Sequence, residues 1–289
     1  MAETVQMGAI GTRQLGKTGF SATIVGLGGE GVLRTFGRSG PAKSVIDEAF
    51  SQGIRYFDSA RAYAGSEGYY GSYWPFNKDK RSQVFQTSKS ASRDYDGAMA
   101  DLKTTLRTMS IDHLDLWQIH DVRTREDILE IEGPKGALEA FLEAKDKGLI
   151  RNIGVTGHSD PAILSYAVDN WPVDTVLMPV NPVEGALGGF LTQTMPLAKE
   201  KGLGIIGMKV LGASNYIYNE MGATPELLMR YALSQNVSTI IVGCGDPAEV
   251  QTLAKVGREF KPMSQEEQEK VINVFKPFSK QLAYYRGNL

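Results

Sequence analysis

Eight short apolar runs, separated by stretches with helical spacing, constrain this chain more than any other feature. They occupy residues 23–27, 54–58, 84–88, 114–119, 151–156, 175–180, 204–208 and 238–242. Their apolar content is nearly continuous rather than alternating, as expected of strands covered on both faces. Between them, Met99, Leu102 and Leu106 lie three and four apart, and Leu138, Phe141 and Leu142 repeat that spacing, so each set predicts one face of a helix. Strand and helix alternate without a linker, a charge block or a low-complexity tract. The simplest architecture is one domain over residues 1–289, an α/β fold of eight βα units. A doubly wound open sheet is the alternative, and no Gly-x-Gly-x-x-Gly turn opens a helix after the first run to support it.

Helix boundaries are written locally. Asp160-Pro161, Thr224-Pro225 and Asp246-Pro247 each place a side-chain oxygen ahead of a proline. The oxygen accepts an orphan N–H, and proline is tolerated in the first turn because its missing donor has no partner there. Ser264-Gln-Glu-Glu267 has the capping-box spacing and predicts an extra helix after the eighth strand. Two near copies, Ala144-Lys-Asp-Lys-Gly148 and Ala198-Lys-Glu-Lys-Gly202, end in lysines and a glycine suited to a left-handed exit.

Composition narrows the function classes. Net charge is −2 with no basic stripe, which argues against nucleic acid. No apolar run approaches the roughly 20 residues that cross a bilayer. The opening residues lack a positive and an apolar segment, so no signal peptide is expected. The one cysteine, Cys244, excludes an intramolecular disulfide, and His113, His120 and His158 lack metal-ligand spacing. These features predict a cytoplasmic protein without a metal. Nothing in the sequence encodes an oligomeric state.

Four ionisable residues sit where the apolar runs end. Asp58 closes one run and Tyr63 follows five residues on; Lys89 and His120 follow the next two. In a parallel α/β fold that end of the strands is where ligands bind. A phenol is a poor acid at neutral pH, and a neighbouring cation lowers its pKa. Lys89 is the expected cation, held charged by Asp58, and His120 is a further donor able to orient a carbonyl oxygen. Such a group protonates an oxygen while hydride reaches carbon, or runs the reverse oxidation. Each residue alone reads as a cap, a packing group, a solvated lysine or a core histidine; the four in phase read as a site.

The chain resembles an aldo-keto reductase. The resemblance is carried by Phe57-Asp58-Ser-Ala-Arg-Ala-Tyr63 with Gly65-Ser-Glu67 and Gly71, then Thr87-Ser-Lys89, Gln118-Ile-His120 and Gly154-Val-Thr-Gly-His158, and by the opening Arg13-Gln-Leu-Gly-Lys-Thr-Gly19 and Gly26-Leu-Gly28. It implies a (β/α)8 TIM barrel with an N-terminal extension and an extra C-terminal helix. It also implies NADP(H) or NAD(H) bound without a Rossmann motif, a small carbonyl substrate, Tyr63 as acid, Lys89 and Asp58 as its tuners, and His120 as carbonyl orienter. The cofactor contacts it implies are Gly29, Glu30, Thr156, Gly157, Asn181, Met208, Lys209, Leu211, Gly212, Gly243, Gly245 and Glu249. Gly157 departs from the family's amide, Asn181 stands in for a glutamine, and Met208 for a tyrosine that stacks on the nicotinamide.

No Lys or Arg lies within residues 231–254, where many members pair with a 2′-phosphate, while Asp246 and Glu249 do. Family habit favours NADPH and these residues NADH. Alternatives to carbonyl reduction are an NAD-dependent sugar or alcohol dehydrogenase and a non-catalytic nucleotide-sensing subunit. Residues 121–133, with Arg123 and Arg125, are expected as a charged loop bordering the pocket, and residues 211–224 as a second loop folding over the pyrophosphate. Tyr69, Tyr70, Tyr73, Trp74 and Phe76 are expected to pack a helix or wall the substrate.

Overall fold

The computed structural model describes residues 8–287; residues 1–7, read above as lacking a leader, lie outside them. A hairpin of β1 (Thr12–Gln14) and β2 (Ser21–Thr23) precedes eight parallel strands. These are β3 (Val25–Gly31), β4 (Tyr56–Phe57), β5 (Phe85–Ser90), β6 (Leu114–Ile119), β7 (Ile150–Thr156), β8 (Thr175–Pro179), β9 (Gly204–Met208) and β10 (Thr239–Cys244). They close into a barrel in sequence order, with β10 pairing back onto β3. The open-sheet alternative is thereby excluded. All eight expected strands form, with boundaries shifted by a few residues, and the expected N-terminal extension is the hairpin.

Strand parity divides the core in two. Outward residues such as Phe57, Trp117, Ile153 and Val242 pack against the ring of helices. Inward residues Tyr56, Phe85, Leu116, Leu177, Ile206 and Ile241 fill the barrel. The hairpin plugs the N-terminal end: Leu15 is fully buried among those inward residues, and Phe20 stacks on Phe85 with ring centroids 4.5 Å apart. With that end sealed by apolar side chains, the ionisable residues of the interior gather at the opposite mouth.

The helix punctuation holds. Asp160, Thr224 and Asp246 each accept a backbone N–H from the first turn of the helix they open. Ser264 and Glu267 form the capping box of a helix over Gln265–Phe275, the expected extra one. Gly148 and Gly202 both take φ of 70°, the left-handed exit foreseen for the repeated turn.

One segment differs from expectation, and another resolves an alternative. Residues 121–133 are not a free loop: Thr124 and Asp127 make a capping box, and Arg125–Glu132 is helical. The charges that suggested a solvated loop are the acidic first turn of that helix. The aromatic cluster takes the first of its two expected roles, packing a helix, and none of its five rings lines the cavity at the mouth. Tyr69, Tyr70, Tyr73 and Trp74 are buried against the outer core, whereas Phe76 is 86% exposed.

A candidate active site at the barrel mouth

Period-two alternation carries the polar residues to the mouth. Tyr56 points into the barrel, so Asp58 does too; Phe85 leads through Thr87 to Lys89, and Leu116 through Gln118 to His120. Each strand runs from an apolar inward residue to an ionisable one. Asp58, Tyr63, Lys89 and His120 all line one cavity of about 770 Å3, within the range of small-molecule sites.

Lys89 is fully buried. Its ammonium donates to both Asp58 oxygens, at 2.7 and 2.6 Å, and to the Ser59 carbonyl at 2.7 Å. Thr87 Oγ1 donates to Asp58 Oδ1 at 2.9 Å. Burial lowers the Lys89 pKa, and Asp58 opposes that shift. The expected contact between this ammonium and the phenolic oxygen is not made. All three of its protons are directed elsewhere, and Nζ stands 4.8 Å from the Tyr63 ring centroid. The phenol pKa is correspondingly not depressed. Burial and then Asp58 push it well above its ordinary value, and Arg34, whose guanidinium lies 5.0 Å from the ring centroid, only partly offsets them. Tyr63 therefore stays a neutral phenol, with no hydrogen bond to its hydroxyl among the described residues.

His120 meets Tyr63 edge to face, with ring centroids 5.8 Å apart. Burial and then Lys89 lower its pKa to about 3, so the imidazole is neutral near pH 7. Nδ1 is buried without a partner among the described residues, which leaves Nε2 on the cavity side.

The expected cofactor contacts divide. Gly29, Glu30, Thr156, Met208, Lys209, Leu211, Gly243, Gly245 and Glu249 line the cavity. Gly157, Asn181 and Gly212 do not. Asn181 caps the helix Pro182–Leu187 and donates to the Lys209 carbonyl and the Tyr285 hydroxyl, so its amide is spent on holding the wall. A Cβ on Gly157 would come within 2.9 Å of the Val122 carbonyl, so its glycine answers to packing. Thr156 faces the cavity, but its Oγ1 accepts the Asp121 N–H at 2.8 Å.

Sequence reasoning missed Arg34 and Asp121, whereas Arg123 and the segment 211–224 were expected at the pocket. Arg34 ends the 3-10 turn Val32–Arg34 that follows β3. Asp121, with φ of 58°, holds Arg123 through Oδ2 at 2.7 Å and lies 3.2 Å from His158 Nε2; all three line the cavity. Arg125 does not. Within residues 211–224, Ala213 and Ser214 reach the cavity through successive left-handed residues, whereas Tyr216 is buried away from it.

Gly29 and Gly243 both line the cavity. A Cβ on Gly29 would lie 2.8 Å from the Tyr63 ring, and one on Gly243 would lie 2.7 Å from the Glu30 carbonyl carbon, so close packing at the ends of β3 and β10 requires glycine at both. Among the described residues no cluster of His, Cys, Asp or Glu is placed to hold a metal, and no helix is long and apolar enough to cross a membrane.

A closed (β/α)8 barrel with this mouth defines a class, and the family model agrees: residues 38–217 match the Aldo/keto reductase family. The chain belongs to that family and is an NAD(P)H-dependent oxidoreductase of the aldo-keto reductase type, acting on carbonyl compounds. It is 25% identical to an L-galactose dehydrogenase of Arabidopsis thaliana, over 85% of this chain and 87% of that one. It is 27% identical to a D-galacturonate reductase of Fragaria ananassa, over 66% of this chain and 63% of that one. The fold matches the holo form of an aldo-keto reductase from Bacillus halodurans with a TM-score of 0.74 at 20% identity, covering 97% of this chain and 98% of that one. An aldo-keto reductase from Klebsiella pneumoniae, solved in complex with NADPH, matches with a TM-score of 0.72 at 16% identity over 93% and 96% of the chains.

Proposed function

We propose that this enzyme reduces an aldehyde or ketone with Tyr63 as the proton donor. The observation that carries the reading is the geometry at the mouth. The Tyr63 phenol stands edge to face with the His120 imidazole, ring centroids 5.8 Å apart, and the buried Lys89 ammonium lies 4.8 Å from its ring centroid, all lining one cavity. NAD(P)H bound in this cavity would supply hydride to the carbonyl carbon. The carbonyl oxygen, gaining negative charge, needs a proton from a group that still has one at neutral pH. Tyr63 meets that need, with its hydroxyl free of other partners. His120 Nε2–H donates to the same oxygen and orients it without competing as an acid. Lys89 keeps its three hydrogen bonds, and its positive charge close to the ring favours the phenolate left after transfer.

The four retained groups speak against a purely sensing role.

Tyr63→Phe removes the one transferable proton and leaves the ring in place. We expect kcat for aldehyde reduction to fall about 1,000-fold or more, within the range set by losing a general acid, while nucleotide affinity stays within about twofold. A variant retaining a tenth of the wild-type kcat would show that another group delivers the proton.

A further inference from the structure

The geometry points to a choice between nucleotides: this chain selects NADH over NADPH, with Glu249 accepting a hydrogen bond from the 2′-hydroxyl of the adenosine ribose. The inference rests on the NAD(P)H reading of the cavity and adds which nucleotide fits. The reacting end of the dinucleotide belongs at Tyr63 and His120. The rest then follows the cavity past Lys209, Leu211, Ala213 and Ser214 to the corner at Gly243, Gly245 and Glu249.

That corner opens the helix Pro247–Glu259, whose positive end would suit a phosphate. In this chain two of the donors at that end are already committed. Asp246 Oδ1 accepts the Glu249 N–H at 3.0 Å, and Glu249 Oε2 accepts the Gly245 N–H at 2.6 Å. Two carboxylates therefore stand at this corner, and Glu249 Oε1 has no hydrogen bond among the described residues. A hydroxyl is a donor matched to that oxygen, whereas a phosphate offers only further negative charge.

No cation stands ready to compensate. Residues 231–254 contain no Lys or Arg. Among the cations lining the cavity, Arg34 pairs with Glu30 at 2.8 Å, Lys209 lies 3.9 Å from the same carboxylate, and Arg123 pairs with Asp121. Arg34 also stands over Tyr63, at the reacting end. The negative field at the corner registers on the buried thiol of Cys244, which burial and then Glu249 and Asp246 push up to about 12.

The test is a fluorescence titration of the full chain with NADH and with NADPH at low and high salt. NADH should bind at least about 10-fold more tightly, equivalent to about 1.4 kcal/mol. The gap should shrink as salt screens the repulsion. Glu249→Gln keeps an acceptor for the Gly245 N–H, and so the turn, while removing the charge; it should bind NADPH several-fold more tightly than the wild type. Equal or tighter binding of NADPH by the wild type overturns the proposal, as does a gap that Glu249→Gln leaves unmoved. Binding of neither nucleotide would instead overturn the cofactor reading beneath it.

Discussion

Asp58→Asn tests the buried pair beneath the site most directly. Lys89 and Asp58 are 0% and 1% exposed at their side chains, so solvent cannot replace a lost partner. Of the three hydrogen bonds made by the ammonium, two end on the carboxylate. The substitution keeps shape and an acceptor but strips the countercharge from a buried cation. Breaking such a pair from one side costs about 3–5 kcal/mol, a large part of the 5–15 kcal/mol typical of total stability. The variant has one escape, which is for Lys89 to release its proton. Burial already lowers its pKa, and Asp58 is the largest opposing influence. With the carboxylate gone, the folded state binds fewer protons than the unfolded state up to the ordinary lysine value near 10.4. Stability must therefore rise with pH across that window. Urea unfolding at pH 7 and pH 9.5 would measure both effects. The double variant Asp58→Asn/Lys89→Met should recover most of the loss at pH 7, because it removes the stranded charge. A loss below about 1 kcal/mol, or a pH slope no steeper than that of the wild type, would refute the argument that this pair is a coupled buried charge.

Other outcomes follow from the same geometry. Gly29→Ala drives a methyl group to within 2.8 Å of the Tyr63 ring and 3.0 Å of the Asp58 carbonyl; it should cost about 1–3 kcal/mol in thermal unfolding and lower kcat at least about 10-fold, and a wild-type kcat would show that the phenol's position is not critical. With the His120 pKa near 3, reduction should show no inflection near pH 6.5. A limb at that pH that disappears in His120→Gln would mean the imidazole does titrate during turnover. The same depressed value makes folding stability climb as pH rises from about 3 toward the ordinary histidine value, measurable as a Tm gain that levels off above pH 7.

Periodicity and punctuation made the barrel legible. Strands covered on both faces need uninterrupted apolar runs, and helix ends need caps, so both leave marks over a handful of neighbouring residues. The position of a residue relative to its strand's last inward side chain brought Asp58, Lys89 and His120 to one mouth, because alternation is a local rule. Arg34 escaped it, because it lies in a 3-10 turn beyond Gly31, whose φ of 68° ends the strand and its alternation. Residues 121–133 misled because a capped acidic helix and a charged loop share a composition.

What the sequence could not contain was the allocation of hydrogen bonds across the fold. Lys89 was expected to touch the phenol. The turn after β4 instead brings the Ser59 carbonyl to its third proton, and Tyr63 is left neutral. Asn181 was expected at the nicotinamide, yet the Tyr285 hydroxyl, 104 positions away in the chain, takes its amide. Donors and acceptors are satisfied by whichever partners the closed barrel brings within about 3 Å, and pKa values follow from burial that exists only once the chain has folded. The sequence alone therefore determined which chemical groups reach the mouth. Tertiary structure decided which of them remain free to act there, because burial and partnership are properties of the assembled barrel rather than of any segment.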